Sequence, residues 1–409
     1  MKKSIKRIGI DARFYGPIGK GLGRYTQEVV DNIIKLDEVN EYVIFLTGAN
    51  FNDFVCDGAR VTKVLANVRW YTFKEQLVMP WLLAKARLDL VHFPHFNVPF
   101  LYFGKFIVTI HDLILIKYPT VRATTLSPWL YWVKNWAYRG VIWSAVHRAV
   151  KIVTVSNFTK QDILKHFSLP TEKVEVIYEG VANLAKGRDS LFDKNHHDKE
   201  ALLRYNISKP FLLYVGNVYP HKNLERLLKV FGKIRASIDP SLSLPLVRGG
   251  DIRKSDLHLV IVGKEDYFQE QLKVIAKKMS LWRASNDSPV IFSGYVADDD
   301  LEVLFKEAIS YVFPSLYEGF GLPPLEAMAK GCAVVSSNRS SMPEVLGEAA
   351  LYFNPEDEAD MEVKIIKIIS DKSLRDKLIA KGYEQAKLYS WWECARAINI
   401  IYQQILFKK

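Results

Sequence analysis

The chain has 409 residues, of which 49% are apolar and 25% charged, as is ordinary for a globular protein. Its length predicts two domains of about 200 residues each and not a single core. Its three cysteines, Cys56, Cys332 and Cys394, lie far apart in sequence. This spacing argues against a disulfide framework or a zinc knuckle, and it fits a reducing compartment.

The start of the chain, MKKSIKRIGI, is basic, but its apolar run is too short for a signal peptide. No stretch reaches the roughly 18 consecutive apolar residues of a membrane-spanning helix. We therefore expect a cytoplasmic protein, at most peripheral on the inner face of a membrane.

The net charge of +11 is concentrated in the first half of the chain. Residues 1–180 contain 24 Lys and Arg against 15 Asp and Glu, and the remaining residues contain 32 against 30. Such a surplus can serve solubility alone, or it can attract an anionic membrane surface or an anionic substrate. Nucleic acid is a weaker candidate partner, because no recognised nucleic-acid-binding motif is present.

In the first half, strands alternate with helices, which predicts a parallel, doubly wound sheet. The predicted strands are residues 5–10, 42–46, 88–93, 106–110, 151–156 and 174–178. The first strand leads through a loop with Gly19, Gly21 and Gly23 into a predicted helix, a geometry suited to phosphate. A dinucleotide fold would want an acid at the end of the second strand, where this chain has Thr47.

Histidines follow two of these strands. His92 and His95 lie at the end of the third strand, and His111 directly follows the fourth. Ligands of open α/β sheets bind at the carboxyl ends of strands, so all three are candidates. A structural role is the simpler interpretation for His92 and His95.

A long amphiphilic helix is predicted over residues 127–149. Trp129, Trp132 and Trp136 are spaced i, i+3 and i+7, so they share one face. We expect this face to pack on the sheet. The alternative, which does not exclude packing, is an interfacial helix with indole rings at the level of lipid headgroups.

The pattern restarts after residues 183–208, a polar segment that we interpret as a linker in which His196 and His197 are solvated. The later predicted strands are residues 211–215, 258–262, 290–292, 309–313, 332–336 and 350–353. Residues 236–256 are predicted to be a surface insertion. Residues 298–300, three aspartates, fit helix capping and the helix dipole better than a metal site.

Residues 314–331, PSLYEGFGLPPLEAMAKG, predict a turn and a helix between two strands. The turn presents backbone N–H groups at a helix N-terminus, which is a ready anion site. Glu318 and Glu326 frame this turn with seven residues between them. A site for a polyhydroxylated, phosphorylated ligand could use both carboxylates.

Taken together, these motifs resemble retaining glycosyltransferases of family 4, the glycosyl transferases group 1, and are closest to bacterial mannosyltransferases. The resemblance covers nearly the whole chain and is most specific in YEGFGLPPLEA, residues 317–327. It also rests on GKGLGRY (19–25), IHD (110–112), GNVYPHKN (216–223) and GYV (294–296). It implies the GT-B architecture, in which two Rossmann-like, doubly wound parallel-sheet domains face a central cleft.

The resemblance also implies domain boundaries. Residues 1–182 would form the acceptor-side domain and residues 209–385 the nucleotide-sugar-binding domain. Residues 183–208 would link them. Residues 386–409 would form a C-terminal helix that crosses back to the first domain.

The resemblance implies roles for four side chains. Glu326 would accept hydrogen bonds from the ribose hydroxyls of a sugar nucleotide, and Glu318 would contact the donor sugar. Lys222 would neutralise the departing diphosphate. His111 would contact the donor sugar from the opposite domain. The implied catalytic residues are therefore His111, Glu318 and Lys222.

Backbone groups would complete the implied donor site. Its further residues are Gly216, Asn217, Val296, Gly319, Phe320, Gly321, Leu322 and the loop glycines Gly19, Gly21 and Gly23. Many relatives have an Arg where this chain has Asn217, and a variant subfamily has one where this chain has His221. Lys222 would then be the sole side-chain cation of this loop at the phosphate, unless Arg24 or another cation reaches it.

The implied activity is retaining, metal-independent transfer of a hexose, with a nucleotide sugar as co-substrate and no other cofactor. GDP-mannose is our first choice of donor, and a UDP-sugar is the alternative. The expected acceptor is a saccharide or a lipid-linked saccharide, as in polysaccharide or lipopolysaccharide biosynthesis. A non-catalytic sugar-nucleotide binder and an epimerase on the same architecture are hypotheses of other classes.

Overall fold

The computed structural model describes residues 4–56, 58–119, 128–181, 194–236, 244–245, 251–252, 256–283 and 288–407. The chain forms two compact units. The first comprises Met1–Gly180 and Tyr389–Lys409, and the second comprises Val181–Leu388.

The first unit is built on seven parallel strands. They are β1 (Arg7–Asp11), β2 (Glu41–Leu46), β3 (Val61–Leu65), β4 (Leu90–Phe93), β5 (Phe106–Ile110), β6 (Lys151–Thr154) and β7 (Val174–Val176). Their order is β3-β2-β1-β4-β5-β6-β7, so the direction of winding reverses between β1 and β4. Ligands of such sheets bind outside the carboxyl ends of the strands at this reversal.

Helices connect these strands. They are α1 (Lys20–Leu36), α2 (Phe73–Lys85), α3 (Ile114–Lys117), α4 (Pro128–Arg148) and α5 (Asn157–Phe167), with short 3₁₀ turns at Pro17–Gly19 and Thr171–Lys173. Thr72 caps α2 and Ser156 caps α5, each by accepting a backbone hydrogen bond from the third residue beyond it.

The second unit contains a six-stranded parallel sheet and a separate two-stranded ribbon. The strands are β8 (Phe211–Val215), β9 (Leu244–Pro245), β10 (Asp251–Ile252), β11 (His258–Val262), β12 (Val290–Gly294), β13 (Ser310–Phe313), β14 (Val334–Ser337) and β15 (Ala350–Phe353). The sheet order is β12-β11-β8-β13-β14-β15, and β9 pairs with β10 in antiparallel fashion. Here the winding reverses between β8 and β13.

The helices of the second unit cover this sheet. They are α6 (Lys194–Arg204), α7 (Leu224–Ala236), α8 (Tyr267–Lys278), α9 (Asp298–Glu307), α10 (Leu322–Ala329), α11 (Met342–Leu346), α12 (Glu358–Ser370) and α13 (Lys372–Lys387), with 3₁₀ turns at Pro220–Lys222 and Gly347–Ala349.

The last helix, α14 (Trp391–Phe407), belongs to the first unit and packs against α1. The buried hydroxyl of Tyr402 lies 2.7 Å from Nδ1 of His92, and Thr109 Oγ1 lies 2.9 Å from the other ring nitrogen. Burial lowers the pKa of His92 to about 3, so this side chain is a neutral core residue. The structural interpretation of His92 is confirmed.

Two parallel, doubly wound sheets confirm the predicted fold class. Several predicted strands have the observed bounds, and others differ at their ends by one or two residues. Strand β3 and helix α2 were not predicted. The reason is local, since β3 is a partly exposed edge strand and α2 contains Pro80.

The segment predicted as a linker includes a helix where it is described. Helix α6 packs on α9 because Ala201 and Leu202 are buried beneath its polar residues. Arg204 donates to Oδ2 of Asp300 at 2.6 Å, and the Tyr205 hydroxyl donates to the same oxygen at 2.9 Å. His196 lies in this helix and so does His197, but their side chains are outside the described residues.

The capping role predicted for residues 298–300 is wrong. Ala297 occupies the N-cap position of α9, and the three aspartates fill the first helical turn. They therefore suit the helix dipole, as predicted, without capping the helix. Asp300 is buried and holds α6 through its ion pair with Arg204.

The tryptophans of α4 do not pack on the sheet. Trp129, Trp132, Trp136 and Trp143 are all exposed, and the helix buries its other face, which includes Ile142. Within the described ranges, no helix is long and apolar enough to span a bilayer.

Candidate active site

In the second unit, the predicted donor loop begins at the carboxyl end of β8. Gly216 has a φ of +148°, and its N–H donates to the carbonyl oxygen of Val262 at 2.9 Å. That carbonyl belongs to the end of β11, the neighbouring strand. A similar bond joins the ends of β11 and β12, because the N–H of Gly263 donates to the carbonyl oxygen of Gly294 at 3.1 Å. Three adjacent strands therefore end in closely packed glycine turns.

The next part of this edge is the turn between β13 and α10. Gly321 is the N-cap of α10 with a φ of +103°, and a Cβ there would lie 2.3 Å from Cε of Met342. Only glycine fits this position without strain. The hydroxyl of Ser341 donates to the carbonyl oxygens of Glu318 and Phe320. The turn is thus fixed by packing and by hydrogen bonds from the segment that begins α11.

The two predicted side chains of opposite charge meet in this unit. Nζ of Lys222 donates to Oε1 of Glu318 at 2.6 Å, and the two side chains are only 12% and 10% exposed. The ammonium also lies 5.7 Å from the centre of the Phe313 ring. A cation is therefore held close to the N-terminal end of α10, where an anion would be stabilised.

His221 precedes this lysine and does not supply a second charge. Burial, together with the adjacent Lys222, lowers the pKa of His221 to about 4 against the opposing effect of Glu318. The imidazole is therefore neutral at pH 7, as the sole-cation prediction for this loop requires. The carbonyl of Asn217 accepts the Tyr214 hydroxyl at 2.6 Å. Its buried Oδ1 has no hydrogen-bond partner among the described residues.

The remaining predicted donor residues differ in what they can offer. Glu326 lies in α10 and is partly exposed, as is Leu322, the first residue of that helix. Phe320 and Val296 are buried, so their backbone groups and not their side chains would reach a ligand. Gly319 is likewise buried within the turn.

In the first unit, His111 lies at the carboxyl end of β5 and both of its ring nitrogens face acceptors. Nδ1 lies 3.0 Å from Oε1 of Glu179, and Nε2 lies 2.9 Å from the carbonyl oxygen of Pro94. The ring of Tyr25 packs edge-on against it, with centroids 4.6 Å apart. When both bonds are made, both nitrogens donate, which is the state of a protonated imidazolium.

The electrostatics of His111 agree with that geometry. Burial acts to lower its pKa, but the hydrogen bond and charge of Glu179 outweigh burial and raise the pKa above 6.5. Glu179 was not predicted as a site residue. Its position shortly after β7, directly before Gly180, was the available signal.

The glycines of the first loop are not equivalent. A Cβ on Gly19 would lie 2.4 Å from the carbonyl oxygen of Phe14, and one on Gly23 would lie 2.1 Å from that of Gly16. These two glycines are required by packing. A Cβ on Gly21 would meet no atom within 4 Å, so the fold does not explain this glycine. Arg24 follows within α1, in the same unit.

His95 contacts other aromatic residues. Its Nε2 lies 2.6 Å from the hydroxyl of Tyr71, and Phe14 packs edge-on against its ring. Tyr71 has a φ of +61°, which is uncommon for a bulky residue and marks local strain. Burial and the nearby His111 lower the pKa of His95, which keeps it neutral.

The chain matches two family models that together cover most of it. Residues 19–182 match the model described as Glycosyltransferase Family 4. Residues 198–385 match the model described as Glycosyl transferases group 1. The matches follow the two units closely, one on each.

A curated relative and two solved structures agree with these matches. The chain is 28% identical over 390 residues to O-antigen chain mannosyltransferase B of Escherichia coli, covering 91% of this chain and 93% of the relative. The structure of sucrose-phosphate synthase from Thermosynechococcus elongatus is similar with a TM-score of 0.71 and 17% identity, covering 99% of this chain and 100% of that one. The structure of Anabaena Alr3699/HepE in complex with UDP-glucose is similar with a TM-score of 0.67 and 15% identity, covering 98% of this chain and 100% of that one. The two structures support the fold alone.

Proposed function

The chain belongs to glycosyltransferase family 4, and from that premise we propose that it transfers mannose from GDP-mannose to a saccharide or lipid-linked saccharide. That it is a glycosyltransferase follows from the family, and the donor, acceptor and mechanism are the proposal. The supporting observation is the ion pair of Lys222 and Glu318 beside the turn that begins α10.

Lys222 would act on the leaving group. As the bond to the donor sugar breaks, negative charge grows on the diphosphate, and a preorganised cation near a helix N-terminus stabilises it. Glu318 holds that cation in place before the donor binds. We propose that its carboxylate then turns to the sugar hydroxyls, while Glu326 accepts hydrogen bonds from the ribose.

We propose retention of anomeric configuration by front-face attack. The acceptor hydroxyl would approach on the side from which the diphosphate departs, and a diphosphate oxygen would take its proton. The sugar–phosphate bond breaks as the new glycosidic bond forms, and no covalent enzyme intermediate is required. Lys222 and backbone N–H groups would supply the charge stabilisation that a metal ion supplies elsewhere.

The choice of mannose as the donor sugar is supported by the Escherichia coli relative, an O-antigen chain mannosyltransferase. By the same analogy, an O-antigen or another lipopolysaccharide saccharide is the proposed acceptor, reached from the cytoplasmic face of the membrane. A UDP-sugar is the second candidate donor, favoured by the similar fold that was solved with UDP-glucose.

The test is release of free nucleotide from a panel of GDP- and UDP-sugars, with and without saccharide acceptors. We expect GDP release from GDP-mannose that increases on adding acceptor, and a product with the donor's anomeric configuration by NMR. UDP release from a UDP-sugar would select the second donor. Binding without release would instead identify a non-catalytic binder, and isomerisation without acceptor would identify an epimerase.

A further inference from the structure

The first unit exposes a row of tryptophans on α4. Trp129, Trp132, Trp136 and Trp143 are 75%, 47%, 73% and 57% exposed. Their spacing of three, four and seven residues places them on one side of the helix. Ala145, on the opposite side, is fully buried in the core. The helix is therefore docked on its unit while its most apolar side chains face outward.

Helix α2 presents a second apolar row. Phe73, Leu77 and Trp81 are spaced by four residues and all are exposed. Glu75, on the opposite side of the helix, is buried and accepts from Arg13 at 2.6 Å. This buried ion pair fixes the rotation of α2 about its axis, so the apolar row cannot turn inward without breaking the pair.

A loop between β4 and β5 joins the two helices. Its side chains Phe100, Leu101 and Phe103 are exposed. The N–H of Phe100 donates to Oε1 of Gln76 in α2 at 2.8 Å. Its ring also lies 3.8 Å from the position that a Cβ would take at Gly140 of α4. The two rows and this loop thus form one connected aromatic surface, larger than the isolated exposed side chains that monomeric proteins usually carry.

The segment that carries this aromatic surface has a strongly positive net charge. Residues 69–148 contain ten Lys and Arg against three Asp and Glu, a surplus of seven within the surplus of nine in residues 1–180. Each of the three acids has another partner within the fold. Glu75 is buried, Asp89 lies within 3.6 Å of Lys6, and Asp112 accepts from the N–H of Ile114.

We propose that the aromatic surface docks this protein on an anionic lipid bilayer, with the indole rings at the level of the headgroups. Lys74, Lys85 and Lys134 are exposed on the same two helices, where they would meet lipid phosphates. A second copy of the chain fits less well, because it would bring two surfaces of the same positive charge together. The inference stands apart from the proposed sugar transfer, since binding to vesicles needs neither donor nor acceptor.

The experiment is co-sedimentation of the full chain with phosphatidylcholine vesicles that contain or lack phosphatidylglycerol, at low and high salt. We expect binding that requires phosphatidylglycerol and weakens as salt rises. A variant with Trp129→Ser and Trp136→Ser should bind at least about tenfold more weakly, because two interfacial rings are lost. The matched control is Trp392→Ser, since Trp392 is an exposed tryptophan on α14, outside the surface.

Three results would overturn the proposal. The wild-type chain could stay in the supernatant with anionic vesicles, or the double variant could bind as well as wild type. A dimer that dissociates on the same double substitution would show that a second copy covers the surface. Transfer to a water-soluble acceptor should be unchanged in the double variant, which separates loss of docking from loss of catalysis or of folding.

Discussion

In each unit, an ion pair that includes a predicted site residue lies at the carboxyl edge of the sheet, and the two pairs differ in the kind of cation they use. In the second unit, Lys222 and Glu318 are 2.6 Å apart, and a lysine carries its charge at any physiological pH. In the first unit, His111 and Glu179 are 3.0 Å apart, and a histidine titrates near neutrality. One unit therefore offers a permanent charge and the other a charge that depends on pH.

The pairs also differ in how completely their cations are engaged. Both nitrogens of His111 are bonded within the first unit, to Glu179 and to the carbonyl of Pro94. The ammonium of Lys222 has three N–H donors, and one of them donates to Glu318. In the proposed mechanism, the lysine would contact the diphosphate directly, whereas the histidine is held in place by its two hydrogen bonds.

The largest expected effect comes from removing the permanent charge. Lys222→Met should lower kcat by about 10²–10³-fold, the effect of losing one preorganised interaction with developing negative charge. Steady-state release of nucleotide from the donor measures this loss. The matched control is Lys233→Met, which breaks an exposed pair with Glu358 of similar length, 2.7 Å, and should leave turnover unchanged.

A neutral double variant separates catalysis from stability. Lys222→Met alone leaves Glu318 buried without its cation and should cost about 3–5 kcal/mol of stability. Adding Glu318→Gln should recover much of that cost, seen as a higher Tm, without recovering turnover. If the double variant regained wild-type turnover, the proposal that the charge of Lys222 acts in catalysis would be wrong.

The next effect tests the charge that depends on pH. Glu179→Gln keeps a polar partner for His111 but removes the carboxylate that raises its pKa, so that pKa should fall. In wild type, a raised folded pKa means that the pair's contribution to stability is full below the unfolded pKa of 6.5 and is lost as pH rises through the folded pKa.

The measurement is the free energy of unfolding of both proteins across this pH window, with an NMR titration of His111. The difference in free energy of unfolding between wild type and Glu179→Gln should be largest at the acidic end of this window and should decrease as pH rises. The pH profile of kcat/KM should shift in the same direction if His111 acts as a cation on the donor. An unshifted titration of His111 would show that Glu179 does not set its pKa.

A glycine in each unit allows the two units to be compared through smaller effects on stability. Gly321→Ala meets both a φ of +103° and the Met342 side chain, so it should cost about 1–3 kcal/mol and lower the Tm. Gly21→Ala meets open space near the start of α1 and should leave stability unchanged or raise it by up to about 1 kcal/mol.

Activity distinguishes the two glycine variants further. If the first loop approaches the diphosphate, Gly21→Ala should weaken donor binding in a protein that is fully folded, as measured by the KM for the donor. Unchanged KM and unchanged stability would show that Gly21 serves neither the fold nor the donor.

The smallest effect on stability and turnover is expected for a substitution of His221, the residue before Lys222. Since the pKa of His221 is about 4, its imidazole is neutral at pH 7 and adds no charge to the loop. His221→Gln should therefore change stability by less than about 1 kcal/mol and leave the pH profile of turnover as it is above pH 6. A large loss of turnover would show that a second cation operates in this loop.

Local patterns in the sequence were enough to predict the alternation of strands and helices and the glycine turns that end several strands. A strand buried on both faces is a continuous apolar run, and a tight turn at positive φ needs glycine, so both leave local traces. The edge strand β3 and helix α6 leave weaker traces because one is partly exposed and the other is mostly polar.

Partners far apart in sequence could not be predicted in the same way. His111 and Glu179 are 68 residues apart, and Lys222 and Glu318 are 96 apart. Each pair meets only because parallel strands bring their carboxyl ends to one edge of a sheet. The role of Asp300 as the anchor of α6 was likewise invisible in a run of three aspartates.

The sequence alone determined the fold class, the family and the spacing that places three tryptophans on one face of α4, because periodicity and motif are properties of neighbours in the chain. The tertiary structure decided which face of that helix is covered and which carboxylate each cation meets. Those outcomes depend on how the elements pack, since a helical period shows which side chains share a face but not whether that face lies against the core or the solvent.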